Sequence, residues 1–246
     1  ILAIYGLEFI QLIGYLVVRI RRGSWRNIRL TKFDLVLHSL SAVGILCLLY
    51  SYFVEPRWID VHSTTLRTVK LKDAGFRIVQ ITDLHCDRTA GNEERVVRIV
   101  NGLKPDIVVA TGDCLNDRAG LPRLRQMLGR LEAPLGKFAV TGNFEVRHWS
   151  DVDPFEDTGF RKVERETVVV TKGADSIAIS GMGYVPSGAT AEPIDGPADD
   201  RYDVFLFHTP DLVEDFAHRG IDLYLCGHTH GGQVAMPWYG ALITLS

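Results

Sequence analysis

Two imidazoles stand two residues apart in a glycine-flanked turn, Cys226-Gly227-His228-Thr229-His230-Gly231-Gly232-Gln233, directly after the short apolar run Asp222-Leu223-Tyr224-Leu225. Residues two apart do not share a helix face, and the glycines let the backbone turn tightly enough for both rings to converge, which is an arrangement for metal ligands rather than for core packing. Four more segments repeat this grammar of a β-rich apolar run ending in a metal-competent residue. Arg77 to Thr82 leads into Asp83-Leu84-His85, and Asp106 to Thr111 leads into Gly112-Asp113. Lys137 to Thr141 leads into Gly142-Asn143-Phe144-Glu145, and Tyr202 to Phe207 leads into His208. Ligands gather where buried strands of layered α/β folds end, so five strand ends are expected to aim at one site. Any one of these residues alone has a plainer reading, an Asp as a turn former or Gly-Asn as a common turn dipeptide; the five in sequence do not.

In that order the motifs resemble the signature of the calcineurin-like metallophosphoesterase family, D-x-H, G-D, G-N-H-(D/E), a lone H, then G-H-x-H, across roughly Arg77 to Gln233. The Gly-Gly-Gln extension and the apolar front are similar to a membrane-associated bacterial branch that includes UDP-diacylglucosamine pyrophosphohydrolases and related phosphodiesterases. The resemblance implies two divalent metal ions. Asp83, His85, Asp113 and His230 would hold one; Asp113, Asn143, His208 and His228 would hold the other, with Asp113 as bridge. Mixed imidazole, carboxylate and amide oxygens suit Mn, Zn or Fe, and two such cations can bind a phosphoryl oxygen and activate water for in-line hydrolysis.

The third motif departs from the family. Phe144 stands where a histidine, associated with proton donation or transition-state stabilisation, follows the asparagine. His148, in Glu145-Val146-Arg147-His148-Trp149, is the nearest imidazole that could replace it, and Arg147 offers a guanidinium that matches phosphate bidentately. The plainer reading packs Phe144 and Trp149 into the loop and leaves His148 solvated. A pyrophosphate or another stable leaving group would need less acid catalysis.

The elements that must position these residues alternate between strand and helix. Asn92 to Leu103, with Val96, Val97, Ile99, Val100 and Leu103 apolar behind an Asn cap and two acids, predicts an amphipathic helix; Leu121 to Leu131 and Pro210 to His218 predict two more. Thr167 to Thr171 and Ser176 to Ser180 around Lys172-Gly173 predict a hairpin opening a second sheet, and Thr65 to Leu71 is expected to pair with Arg77 to Thr82. The resemblance implies an α/β fold, a two-sheet β-sandwich flanked by helices, here preceded by two transmembrane helices.

Those helices fall in residues 1–54. Leu35 to Val54 carries no charged side chain and, as a helix, reaches roughly 30 Å, one hydrocarbon core. Ile1 to Val18 is apolar apart from Glu8 and Gln11 and is expected to span as well; a chain opening on Ile1 without Met is expected to start inside a longer protein. The intervening loop, 19–32, holds Arg19, Arg21, Arg22, Arg26, Arg29 and Lys32 with no acid, which places it on the cytoplasmic side and the catalytic part on the other. Anionic lipid could also bind this loop. A multi-pass location in the inner or cell membrane follows, with the lipid bilayer as a partner.

Residues 55–64 read as a linker, and 65–246 as the metallophosphoesterase domain, expected to continue beyond Ser246. Setting the basic loop aside turns the net charge of −3 into about −9 for the remainder, which argues against a nucleic-acid partner. Cys47 lies in a predicted span. Cys86, Cys114 and Cys226 abut the motifs, yet no C-x-x-C pair occurs, and they read as small buried fillers. Pro186 to Asp200 reads as a flexible loop that could form a lid or a wall for lipid tails. The sequence thus points to a membrane-anchored phosphohydrolase acting on a phosphodiester, phosphomonoester or pyrophosphate, extending to lipids and lipid-linked sugar nucleotides. The competing reading is a metal-binding membrane sensor or scaffold that lost turnover with Phe144.

Overall fold

The β-branched runs fold into four short strands, β1 (Ile78–Ile81), β2 (Ile107–Thr111), β3 (Lys137–Val140) and β4 (Phe160–Lys162), which pair in parallel in that order. This computed structural model describes residues 2–22, 31–73, 75–185, 201–230, 234–236 and 240–243. β2 is buried along its whole length, which is why its sequence is a continuous apolar run rather than an alternating one. Its side chains still divide by face. Val108 and Ala110 join the core under the helices, while Ile107 and Val109 join the core shared with a second sheet.

That second sheet runs β5 (Thr167–Lys172), β6 (Asp175–Gly181), β7 (Tyr202–Leu206) and β8 (Leu223–Leu225). β5 and β6 form the expected hairpin, whereas β6, β7 and β8 are parallel. Val170, Ile177, Ile179, Val204 and Leu206 meet Ile107, Val109, Phe138 and Val140 in one core, so the two sheets are packed face to face. Fully burying each such side chain contributes about 1.5–3 kcal/mol.

Helices cover the outer faces. α3 (Glu93–Gly102) places Val97 and Val100, and α4 (Leu121–Gly129) places Leu124, Met127 and Leu128, on the outer side of the first sheet. Glu93 and Glu94 favour the start of α3 through the helix dipole, although Asn92 makes no side-chain cap bond there. A short helix, α5 (Asn143–His148), leaves the end of β3, and α6 (Val213–His218) sets Phe216 against Phe205 of the second sheet. A two-stranded antiparallel ribbon, β9 (Val234–Met236) and β10 (Gly240–Ile243), follows.

One expected strand does not form. Residues 65–71 have no regular structure, and β1 pairs with β2 instead. The apolar residues Leu66 and Val69 are three apart and so point to opposite faces of an extended chain; Val69 is 92% exposed, and Leu71 alone of this run packs on the inter-sheet core. The segment is instead held where Lys72 and Asp73 donate their backbone N–H groups to the Asp175 carboxylate at 2.8 and 2.9 Å.

Contacts divide the chain into Ile1–Ser63 and Thr64–Ser246. The first unit is a pair of helices, α1 (Leu2–Arg22) and α2 (Lys32–Phe53). Thr31 and Asp34 form a reciprocal capping box at the start of α2. Gln11 of α1 donates to Asp34 at 2.7 Å. Among the described residues one helix, Lys32–Phe53, is long and apolar enough to cross a membrane. The other expected span, Ile1 to Val18, forms most of α1, several of whose side chains lie outside the described residues, as do loop residues 23–30 and the predicted loop Pro186 to Asp200.

Candidate metal centre

Because β1, β2 and β3 are parallel, and β7 and β8 are parallel, their carboxyl ends each deliver a polar loop. The loops bring the sequence-selected residues into two groups. Asp83, His85 and His230 form one, and Asp113, His208 and His228 the other; within each, the potential ligand atoms all lie within 4.8 Å of one another. Asp113 joins the groups, its Oδ2 lying 3.2 Å from His208 Nε2 and 3.9 Å from His85 Nε2. His228 Nδ1 is 3.2 Å from His208 Nε2, and His230 Nε2 is 3.6 Å from Asp83 Oδ1. The His85 and His230 rings stack at 5.2 Å.

Five of these residues adopt left-handed backbone conformations: Asp83 (φ 50°), His85 (42°), Asp113 (52°), His228 (71°) and His230 (50°). Each such non-glycine residue costs on the order of 1–3 kcal/mol and persists only where its surroundings fix it. The fixing bonds are visible. Asp83 N–H donates to the Gly112 carbonyl at 3.1 Å, His85 N–H to the Asp113 carbonyl at 3.0 Å, and Gly227 N–H to the His208 carbonyl at 2.8 Å. The Thr82 hydroxyl donates to Asp83 at 2.7 Å, and Gln80 Nε2 reaches both Thr111 Oγ1 and the Cys226 carbonyl at 2.8 Å.

The most connected of these supports is Glu145, a residue to which sequence reasoning assigned no role. Its carboxylate is buried and accepts four backbone N–H groups: Asp113 at 2.8 Å and Gly142 at 2.9 Å on Oε2, Cys114 at 2.6 Å and Leu115 at 3.2 Å on Oε1. The signal in the sequence was the three-residue spacing from Gly142 to Glu145, half of a capping box at the start of α5. The third-motif loop is thereby tied to the second. Gly142 must be glycine, since a Cβ there would lie 2.2 Å from Asp113 Oδ1.

Charge within the centre is unevenly distributed. Burial works against ionisation of Asp113, but the His208 hydrogen bond and charge outweigh it and hold the carboxyl below its ordinary range. Burial likewise works to lower His208, yet the Asp113 carboxylate, assisted by the Thr111 carbonyl, raises it overall. Burial lowers His85 and also His228, which faces the His208 charge. A buried carboxylate with neighbouring imidazoles, two of which, His85 and His228, disfavour a proton, is a donor set suited to a divalent cation. Asn143 Oδ1 supports the fit, because it is buried with no hydrogen-bond partner, as an amide oxygen reserved for a cation would be.

The two residues weighed in place of the missing histidine, His148 as acid and Arg147 as stabiliser of phosphoryl charge, lie outside the ligand groups. Phe144 sets its ring edge-on to His85 at 5.2 Å, and the His148 ring packs on Phe144 at 4.5 Å, one ring removed from the centre. His148 is exposed, with Nδ1 3.3 Å from the Phe144 carbonyl. Arg147 instead turns to Tyr184, donating to its hydroxyl at 2.9 Å. Cys86 and Cys114 are buried fillers, as expected; burial pushes the Cys86 thiol up to about 12 and the Cys114 thiol higher than usual as well. Cys226 is half-buried, and no cysteine joins either ligand group among the described residues.

Comparison with known proteins agrees with this geometry. Residues 76–232 match the family model described as calcineurin-like phosphoesterase. An uncharacterized metallophosphoesterase of Aquifex aeolicus is 33% identical, covering 81% of this chain and 80% of that one. Phosphodiesterase YaeI of Escherichia coli is 28% identical over 78% of this chain and 74% of its own length. UDP-2,3-diacylglucosamine pyrophosphatase LpxG of Chlamydia muridarum is 23% identical over 82% and 78%. The match spans the two ligand groups and all five strand ends, and the chain belongs to the calcineurin-like phosphoesterase family of metal-dependent phosphohydrolases.

Proposed function

We propose that this protein is a membrane-anchored phosphoesterase with a dinuclear metal centre that hydrolyses a phosphodiester or pyrophosphate presented close to the bilayer, a lipid or lipid-linked sugar nucleotide among them. The observation that carries the reading is Asp113, one carboxylate within reach of histidines from both ligand groups. Asp83, His85, Asp113 and His230 hold one cation; Asp113, Asn143, His208 and His228 hold the other. Two divalent cations so placed, Mn, Zn or Fe, supply the Lewis acidity and the activated water for in-line displacement at phosphorus.

The protein's own groups orient and select. Thr82 and the His228 backbone N–H, 3.0 Å from Asp83 Oδ2, fix the Asp83 carboxylate. The Thr111 carbonyl, 2.7 Å from His208 Nδ1, turns the opposite ring nitrogen toward Asp113. Phe144 supplies no proton, which favours a leaving group that is stable as an anion, so pyrophosphates and activated diesters over simple alkyl monoesters. His148 Nδ1 lies 3.3 Å from the Phe144 carbonyl, which leaves Nε2 as the ring nitrogen not engaged by the backbone.

Support for anchoring comes from α2, whose 22 residues reach about 33 Å, and from the acid-free basic loop before it. With that loop in the cytoplasm, α1 and α2 both cross and the catalytic unit faces the other side. Confinement to one surface raises the effective concentration of an amphiphilic substrate without any added contact. The deciding experiment is hydrolysis by the full chain in detergent, reconstituted with Mn, Zn or Fe, across phosphomonoesters, diesters and pyrophosphates including lipids, beside Asp113→Ala. Metal-dependent turnover abolished in the variant together with its bound metal supports the reading. Full metal binding without turnover on any substrate replaces it with a metal-binding membrane sensor, the reading that Phe144 favours.

A further inference from the structure

Arg147, at the end of α5, has a phenol as its partner. Arg88, Arg118, Arg123, Arg125, Arg130, Arg161 and Arg201 each pair with a carboxylate. Arg147 has no carboxylate partner among the described residues. Its guanidinium lies over the Tyr184 ring, 5.5 Å from the centroid, and one Nη donates to the Tyr184 hydroxyl at 2.9 Å. A phenol orders the fork through its face and its oxygen, brings no negative charge to it, and among the described residues takes one of its five N–H donors.

The pair is also fixed beside the metal centre. Arg147 is four residues after Asn143 on α5, so the two side chains share one face of the helix, about 6 Å apart at their bases. Tyr184 is pinned from the other side, its N–H donating to the Thr141 carbonyl at 3.0 Å, two residues before Asn143. Tyr184 also stands three residues after the end of β6, in the connection to β7 and His208. An ordered guanidinium with no carboxylate partner among the described residues, one helical turn from the proposed metal ligand Asn143, suits a second anionic group on the same substrate.

We infer that Arg147 and Tyr184 form a subsite for the second phosphate of a pyrophosphate-linked substrate, with Arg147 contacting the phosphate and Tyr184 acting as a positioning residue. The inference rests on the metal-centre reading above and deepens it by naming the substrate class. A phosphate next to the scissile one is held bidentately by the fork, and the charge that builds on it as leaving group is offset there, which supplies what Phe144 does not. Lysine would carry the charge without the fork and without the stack on Tyr184.

Binding tests this independently of turnover. Calorimetric titration of the metal-loaded full chain would compare a nucleoside diphosphate sugar analogue with a methylene bridge between its phosphates against the matching nucleoside monophosphate. Arg147→Ala should weaken the diphosphate analogue by about 10–100-fold and the monophosphate several-fold less, Arg147→Lys should recover little, and Tyr184→Phe should cost the diphosphate about 3–10-fold. Equal losses for both ligands, or a change under about 3-fold for the diphosphate in Arg147→Ala, would overturn the subsite. Metal-dependent hydrolysis of bis(p-nitrophenyl) phosphate by the wild-type chain reports separately on the catalytic reading, so failure of one is not mistaken for failure of the other.

Discussion

Replacing Glu145 with glutamine keeps the size of the side chain but turns one of its two oxygens into a donor. Whichever way the amide is flipped, one pair of backbone N–H groups, either Asp113 and Gly142 or Cys114 and Leu115, then faces an NH2 in a buried site. A buried donor without an acceptor costs about 1–3 kcal/mol, so the substitution should destabilise the catalytic unit by roughly 2–6 kcal/mol. For a unit of this size, in which 1 kcal/mol moves the midpoint by about 2–4 °C, the melting temperature should fall by roughly 5–20 °C. A second effect is specific to the centre. The Asp113 N–H that Glu145 holds belongs to a left-handed residue whose carboxylate reaches both ligand groups, so metal should be lost well below the melting transition. Scanning calorimetry of the full chain in detergent, with metal content measured by mass spectrometry at 25 °C, reads both quantities. A Glu145→Gln protein that melts within about 2 °C of wild type and retains full metal would refute the argument that this carboxylate organises the centre.

Gly227→Ala is expected to remove metal at little cost to the rest of the fold, because a Cβ there would lie 2.0 Å from Thr82 Oγ1 and 2.4 Å from Asp83 Oδ2; an alanine variant with wild-type metal content would contradict that close approach. His148→Ala should lower turnover of esters with poor leaving groups by about 10²–10⁴-fold if the imidazole is the acid, and of aryl esters far less. Equal, small effects on both would exclude His148, and a gain in ester hydrolysis by Phe144→His would then show that the centre lacks only its acid. Cysteine-accessibility probes should label residues 19–32 from the cytoplasm and positions beyond Trp58 from the other side; labelling of both from the cytoplasm would overturn the proposed topology.

What the sequence disclosed, and what it hid, divides along the difference between local and convergent information. Strand ends were legible because β2 and its neighbours are short β-branched runs stopped by Gly, Asp or His, and a strand buried on both faces has few other ways to be written. The helices α3 and α4 were legible from the spacing of Val97 and Val100 and of Leu124 and Leu128. Residues 65–71 misled because Thr and Val raise strand propensity whether or not an edge is available to pair with.

Glu145 and Tyr184 were hidden for a different reason. Glu145 acts on backbone N–H groups some thirty residues away, and backbone donors leave no mark in a sequence. Tyr184 lies outside every motif and matters only because β6 ends beside the start of α5. The residues that touch a cation or a phosphate must be particular chemical types and so announce themselves, whereas those that hold them in place need only reach. The groups that hold the centre in place, the Glu145 carboxylate on the Asp113 N–H above all, therefore have to be found in the fold, even where the candidate ligands can be read from the chain.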